Sequence, residues 1–257
     1  VWDGIQLLKE HLKAKRIIIG IEDNKPECIA RYRELVKNEQ NMEVMPLKAM
    51  YPQGGEKVLI YHVTGEKVPE GKLPLDVGAV VLNCTTISSI ARYCRTGLPL
   101  VKKCVTVDGS AVKNPMNVLV PIGMRMKDVF EATGGFKEEP KMVLYGGPMM
   151  GIAVPDLEQP ILKNTNAILA FGEAEATPPE PTACIKCGKC IAHCPLSLMP
   201  CEMETAYKKG NMERLMHLKV NLCMECGCCS YICPSHIPLA DLVRQARQFP
   251  REGGEQE

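Results

Sequence analysis

Cys184-Ile-Lys-Cys187-Gly-Lys-Cys190-Ile-Ala-His-Cys194-Pro195 and Cys223-Met-Glu-Cys226-Gly-Cys228-Cys229-Ser-Tyr-Ile-Cys233-Pro234 are two cysteine runs near the C-terminal end of the chain. Both fit the spacing C-x2-C-x2-C-x3-C-P, with which proteins hold cubane [4Fe–4S] clusters. In two-cluster ferredoxins the fourth cysteine of each run ligates the other cluster. The spacing therefore predicts two clusters and a protein that carries electrons.

This crossed pattern assigns four ligands to each predicted cluster. The first cluster receives Cys184, Cys187, Cys190 and Cys233, and the second receives Cys194, Cys223, Cys226 and Cys229. Cys228 competes with Cys229 for the ligand position, but the two-residue spacing after Cys226 favours Cys229. The remaining cysteines are isolated, and we expect them to pack as small buried side chains: Cys28, Cys84, Cys94, Cys104 and Cys201.

Zinc and disulfide bonds are the alternatives to iron–sulfur clusters. A structural zinc ion takes four ligands, and eight cysteines in two runs exceed that number. Fourteen cysteines would indicate a disulfide scaffold in a short secreted chain. The N-terminal residues, Val1-Trp2-Asp3-Gly4, do not form a basic segment followed by an apolar one, so we expect a reducing compartment.

Size and charge limit the classes of partner. A chain of 257 residues predicts two or three domains. The formal net charge is +1, which favours neither a nucleic-acid partner nor an anionic membrane surface. No stretch approaches the ~20 apolar residues of a membrane helix, so we expect any membrane association to come through partner proteins.

The first hundred residues have the alternating pattern of an α/β domain. Short apolar runs predict buried strands at 16–21, 42–45 and 76–82, since strands covered on both faces are continuously apolar. Helices are expected between and after them, at 26–37, 58–63 and from a cap at Thr85 or Ser88 to Arg95. Strands that alternate with helices predict a mostly parallel sheet over residues 1–98.

The pattern changes after residue 98. Strands are expected at 102–107, 117–121 and 141–145, with a hairpin turn at Asp108-Gly109 and a helix at 126–133. These elements predict a compact α+β module over 99–155.

The C-terminal half completes the predicted architecture. Proline-rich residues 156–182 are expected to be a linker, and 183–249 a domain that holds the clusters. Helical spacing at 203–222, between the cysteine runs, indicates that this domain is all-α. The polar tail at 250–257 is expected to be disordered.

Several segments in order resemble one known family. They are Ile19 to Glu27, Tyr51 to Lys57, Gly146 to Gly151 and the two cysteine runs. Over nearly its whole length the chain looks like the C subunit of the Rnf electron-transport complex. The resemblance implies a flavin-bearing, NADH-handling subunit of a membrane-bound oxidoreductase, peripheral on the cytoplasmic face of the cell membrane. That complex couples ferredoxin:NAD⁺ electron transfer to Na⁺ or H⁺ transport, and its other subunits, including a ferredoxin-like one, are the implied partners.

The same family resembles the NADH-binding flavoprotein subunit of respiratory complex I. That resemblance implies a partial Rossmann-like FMN domain at 1–98, a β-grasp domain of the soluble-ligand-binding type at 99–155, and a helical ferredoxin domain. It also implies that Gly54, Gly55, Glu56 and Asn83 stand near the flavin. Lys57 departs from the pattern, because complex I has a second glutamate there.

A second departure concerns the flavin phosphate. In the family a glycine-rich segment cradles FMN with backbone N–H groups, and we find none ahead of the matching residues. We therefore expect FMN to bind the full-length protein, and to bind this chain weakly. Two other functions remain open: a soluble relative that feeds electrons to a cobalamin or amino-acid reductase, and a non-catalytic relay or docking module.

Overall fold

The structure, a computed structural model, describes the backbone of residues 1–252 and the side chains of residues 1–248. The chain divides into two compact units, Val1–Leu98 and Pro99–Glu257. Both strands and helices are present, so the fold is mixed α/β.

The first unit is built on a parallel pair of strands. Its elements are α1 (Trp2–Leu12), β1 (Ile17–Glu22), α2 (Pro26–Val36), β2 (Met42–Leu47), α3 (Glu56–Thr64), a 3₁₀ helix (Pro74–Val77) and α4 (Cys84–Thr96). β1 and β2 pair in parallel, with Ile19 opposite Val44. The first two predicted strands and the helix at Pro26 are thereby confirmed, whereas α1 was not predicted.

The predicted buried strand at 76–82 is wrong. Pro74 begins the 3₁₀ helix, the Asp76 carboxylate accepts a hydrogen bond from the backbone N–H of Leu73 (2.8 Å), and Gly78 ends the turn with a φ of 70°. This local closure replaces strand pairing, and Val80 is left 61% exposed. The helix that follows is capped by Asn83, whose side chain accepts from the N–H of Thr85.

The second unit contains a five-stranded mixed sheet. Its elements are β3 (Lys102–Asp108), β4 (Met116–Pro121), α5 (Met126–Ala132), β5 (Met142–Tyr145), β6 (Ile152–Ala153) and β7 (Ala167–Phe171). The strand order is β4-β3-β7-β5-β6. β7 runs parallel to β3 and antiparallel to β5. The apolar face of α5, with Met126, Val129 and Phe130, packs with Val105 and Ile168 of the sheet in one core.

The predicted linker at 156–182 is wrong, because it contains the central strand β7. Ile161, Ile168 and Ala170 in this segment are completely buried. β3 and β4 pair antiparallel, as the expected hairpin requires, but the connection is longer than a turn at Asp108-Gly109, since β4 starts only at Met116. Gly109 instead permits close approach of β7: a Cβ there would lie 2.1 Å from the carbonyl oxygen of Ala170.

The rest of the second unit is helical in the described part of the chain. Its helices are α6 (Glu173–Ala176), α7 (Lys189–Ala192), α8 (Pro200–Lys208), α9 (Met212–His217), a 3₁₀ helix (Val220–Leu222), α10 (Cys228–Tyr231) and α11 (Leu239–Glu252). Met203 of α8, Leu215 of α9 and Val243 of α11 share one core. In the predicted disordered tail, 250–252 belong to α11 and 253–257 lie outside the described residues. None of the described helices has the length and apolar character that crossing a membrane requires.

The position of β7 predicts a difference between two isoleucines. Ile168 of β7 is completely buried, whereas Ile152 of the edge strand β6 is 67% exposed. Ile168→Ala should lower the free energy of unfolding by about 2–5 kcal/mol, because it leaves a cavity in the core. Ile152→Ala, the matched control, should change it by less than about 0.5 kcal/mol. Thermal and urea unfolding measure both, and equal effects would contradict the central placement of β7.

Candidate functional site

The thiols around the second cysteine run line one cavity. Its wall contains Cys194, Cys223, Cys226, Cys228 and Cys229. The surrounding side chains are mostly apolar, and they include Leu196, Leu198, Pro200, Met203, Ala240 and Val243. Helices α8 and α11 thus supply an apolar enclosure around the four cysteines assigned to the second cluster, together with Cys228.

Backbone N–H groups point at sulfur atoms in this cavity. The N–H of Leu198 donates to the Sγ of Cys194 (3.3 Å), and the N–H of Glu225 donates to the Sγ of Cys223 (3.4 Å). Glu225 has a φ of 56°, a left-handed conformation at the turn between Cys223 and Cys226. Such donors stabilise a sulfur that carries negative charge.

Burial opposes ionisation of the same thiols. Burial, followed by the neighbouring Cys223 and Cys226 thiols, raises the pKa of Cys229 to about 12. Burial also raises the pKa of Cys194 and of Cys223. A bound metal removes the proton from a coordinating thiol, so these sulfurs are suited to hold a positively charged group.

The first cysteine run is more exposed to solvent than the second. Cys184 and Cys187 are exposed, and Cys190 is buried. Cys190 belongs to an apolar cluster with Cys229, against which Cys201 and Cys233 pack. The structure therefore brings Cys190 and Cys233 to the same small core and leaves Cys187 on an exposed loop.

Cys201 is a residue that the sequence analysis treated only as packing. Its pKa is raised to about 11, first by burial and then by the thiols of Cys190 and Cys184, and it is hydrogen-bonded to Cys190. Cys201 lies in the first turn of α8, away from both runs in sequence, so no spacing signal marks it.

The prediction that the other isolated cysteines are buried is wrong, because Cys28, Cys84, Cys94 and Cys104 are exposed. Cys104 shows why. Side chains alternate between the two faces of a strand, and Cys104 is exposed on β3, whereas Val105 and Val107 fill the face that packs on the core.

The thiol arrangement fits a cubane cluster. Among the side chains described, those of residues 1–248, no three His, Cys, Asp or Glu residues converge closely enough to hold a single metal ion. A cubane is larger than one ion and holds its four thiolates further apart. The common cavity, the apolar walls and the N–H donors to sulfur are features that such a cluster uses.

The predicted flavin residues lie at the starts of two helices. Gly55 precedes α3 and Glu56 is its first residue, whereas Asn83 caps α4. Gly54, Glu56 and Asn83 are exposed. A Cβ atom added at Gly54 would have no atom within 4 Å, so the space beside this glycine is open.

Gln53 is a second residue that the sequence analysis missed. Its side chain is 4% exposed, and its Oε1 is 2.8 Å from the Nδ1 of His62. Its Nε2 is buried without a hydrogen-bond partner in the described part of the chain. An unpartnered buried amide is costly, so a ligand carbonyl beside this loop would satisfy it.

Comparison with known proteins gives two domain matches. Residues 1–92 match the Nuo51 FMN-binding domain, and residues 104–153 match the SLBB domain. Among solved structures, the chain resembles a chain of an NAD⁺-reducing [NiFe]-hydrogenase in the H2-reduced state. The TM-score is 0.60 at 18% identity, over 96% of this chain and 50% of that one, which shows similarity of fold.

Curated relatives are closer in sequence. The chain is 41% identical over 197 residues to the C subunit of the proton-translocating ferredoxin:NAD(+) oxidoreductase complex of Clostridium ljungdahlii, covering 77% of this chain and 43% of that protein. It is 40% identical over 209 residues to the C subunit of the Na(+)-translocating complex of Acetobacterium woodii, covering 81% and 47%. The chain spans less than half the length of these relatives. It nevertheless belongs to the family of the C subunits of ion-translocating ferredoxin:NAD⁺ oxidoreductase complexes.

Proposed function

We propose that the full-length protein transfers electrons between NAD(H), FMN and two [4Fe–4S] clusters. It does so as a peripheral, cytoplasmic-side subunit of a membrane-bound, ion-translocating ferredoxin:NAD⁺ oxidoreductase. Its partners are the other subunits of that complex, including a ferredoxin-like one. The observation that carries the proposal is the apolar cavity lined by Cys194, Cys223, Cys226 and Cys229, in a chain whose relatives bear that name.

The domain roles follow the proposed cofactors. Residues 1–98 contribute a part of the flavin domain, and residues 183–249 hold the clusters. The residues between these two segments form the sheet of the second unit. That sheet extends through β7 to Phe171, beyond residue 155, where the predicted β-grasp domain ends. When bound, FMN supplies two-electron exchange with a nicotinamide and the clusters supply one-electron transfer.

Residues of the chain hold the proposed FMN and clusters and shield them from water. The eight assigned cysteines provide thiolates, and the N–H groups of Leu198 and Glu225 stabilise the charge on sulfur. The apolar side chains of α8 and α11 exclude water from the second site. Gly54, Gly55, Glu56 and Asn83 form part of the flavin site, to which we add the unpartnered Nε2 of Gln53.

A stopped-flow experiment with the full-length protein tests this function. NADH added anaerobically should bleach the flavin absorbance first and the cluster absorbance afterwards, because hydride enters at the flavin. A protein that carries clusters without flavin, and that NADH leaves oxidised, would instead support a relay or docking module.

Metal analysis tests the cluster content of the chain. We expect about eight irons and about eight sulfides per chain, because two cubanes hold four irons each. EPR of the reduced protein should show two interacting paramagnets. Cys104→Ser removes an exposed cysteine outside the runs and should keep the full iron content, whereas Cys194→Ser should not. One zinc ion without iron would contradict the proposal.

Substitution at the adjacent pair Cys228 and Cys229 tests the ligand assignment. Cys229 is buried and belongs to the core that contains Cys190, whereas Cys228 is only half-buried. Cys228→Ser should keep both clusters, and Cys229→Ser should lower the iron content and disturb the EPR signal of the second cluster. Loss of a cluster in Cys228→Ser with no effect of Cys229→Ser would reverse the assignment.

A further inference from the structure

The chain enters the first cysteine run through a segment without regular structure. Residues 178–187 form neither helix nor strand, and all of them are exposed. Cys184 and Cys187 lie in this segment, and both are assigned to the first cluster. An exposed segment with few buried contacts moves easily. Specific bonds are therefore needed to keep Cys184 beside the other ligands.

Ser235 makes two hydrogen bonds to this segment. Its hydroxyl donates to the backbone carbonyl oxygen of Ala183 (3.0 Å). Its own carbonyl oxygen accepts from the backbone N–H of Thr182 (2.9 Å). Ser235 is only 3% exposed, and a hydrogen bond away from water is stronger than one in solvent. The two bonds join the residues that precede Cys184 to a residue far along the chain.

The position of Ser235 links the two cysteine runs. Ala183 directly precedes Cys184, the first cysteine of the first run, and Ser235 lies two positions after Cys233, the last cysteine of the second run. Cys233 packs against a small core that contains Cys190. The Ser235 bonds therefore hold the backbone next to Cys184 against the backbone next to Cys233. Both cysteines are assigned to the first cluster.

The second cluster site has apolar packing at the equivalent positions. Leu196 lies two positions after Cys194, where the second run has Ser235, and Leu222 directly precedes Cys223. Both leucines and both of these cysteines pack against the same hydrophobic core. The residues before the first run are exposed instead. The hydrogen bonds of Ser235 thus do at the first site what apolar packing does at the second.

We propose that Ser235 positions the ligands of the first cluster: it holds the start of the first run against the end of the second, and so keeps Cys184 beside Cys233. The inference rests on the cluster assignment made under the proposed function. Ser235 is a positioning residue, since it acts through these two cysteines and not on a substrate. A cubane needs its thiolates at fixed places. A first run that moves freely would lose the first cluster, whereas the second, held by packing, would remain.

The chain with Ser235→Ala, reconstituted anaerobically with iron and sulfide, tests the proposal. Its iron content should fall from about eight to about four per chain, because each cubane holds four irons. Two reference proteins identify the lost cluster: Cys187→Ser removes a ligand assigned to the first cluster, and Cys226→Ser one assigned to the second. The EPR spectrum of reduced Ser235→Ala should match that of Cys187→Ser. A match to Cys226→Ser, or a full iron content, would overturn the proposal.

Two further variants separate the hydroxyl from general stability. Ser235→Thr keeps the hydroxyl and should keep both clusters; loss of the first cluster from it as well would overturn the role of the hydroxyl. Ser110→Ala is the matched control, because the Oγ of Ser110 also bonds a distant segment, accepting from the N–H of Gly172 (3.0 Å). It should keep both clusters, and an equal loss of iron there would contradict the proposal.

Hydrogen–deuterium exchange of the wild-type protein gives a measurement that does not depend on any variant's folding. Because the N–H of Thr182 is bonded to Ser235, it should exchange about tenfold more slowly than an unstructured amide. Exchange at the unstructured rate in a protein with both clusters would reject only the role of Ser235. A wild-type protein that takes up no iron would reject the cluster assignment on which that role depends.

Discussion

The second unit depends on the enclosure of the turn at Cys226 and Cys229. Gly227 lies between them with a φ of 81°, and a Cβ there would stand 2.6 Å from the carbonyl oxygen of Met149. Met149 belongs to the loop that follows β5, so the sheet contacts the helical part at this turn. Only a glycine satisfies both the left-handed backbone and the close approach, and the turn is therefore packed from the sheet side as well as by α11.

This enclosure makes two similar cysteine runs unequal. Gly188 occupies the corresponding position of the first run, with a φ of 74°, but nothing lies within 4 Å of its Cβ position. Cys184 and Cys187 are exposed, whereas their counterparts in the second run, Cys223 and Cys226, are half-buried and buried. The third cysteine is buried in both runs. Solvent exposure and hydrogen bonds to sulfur set the potential of a cluster. Two sites with the same ligand spacing thus receive different environments from the rest of the fold.

The sheet contributes to this arrangement through β7. The chain leaves β6, returns to the middle of the sheet between β3 and β5, and only then enters the cysteine runs. Because Ile168 and Ala170 of β7 are buried in the same core as α5, the chain is held in the sheet as far as Phe171. Exposed residues 177–187 then lead into the first cysteine run.

The sequence by itself determined the features that depend on neighbouring residues. Cysteine spacing indicated which thiols belong together, apolar runs indicated β1 and β2, and helical spacing indicated α8 and α9. Tertiary structure decided what depends on distant residues. The apolar run at 76–82 does not form a strand, and the run at 167–171 is the central one, because strand pairing requires a partner that a local pattern does not reveal. Cys201 reaches Cys190, and Glu225 pairs with Arg247, only when the helices of the second unit pack, because contacts between residues far apart in sequence leave no spacing to read. The burial of the Gln53 side chain in the first unit likewise depends on its tertiary structure.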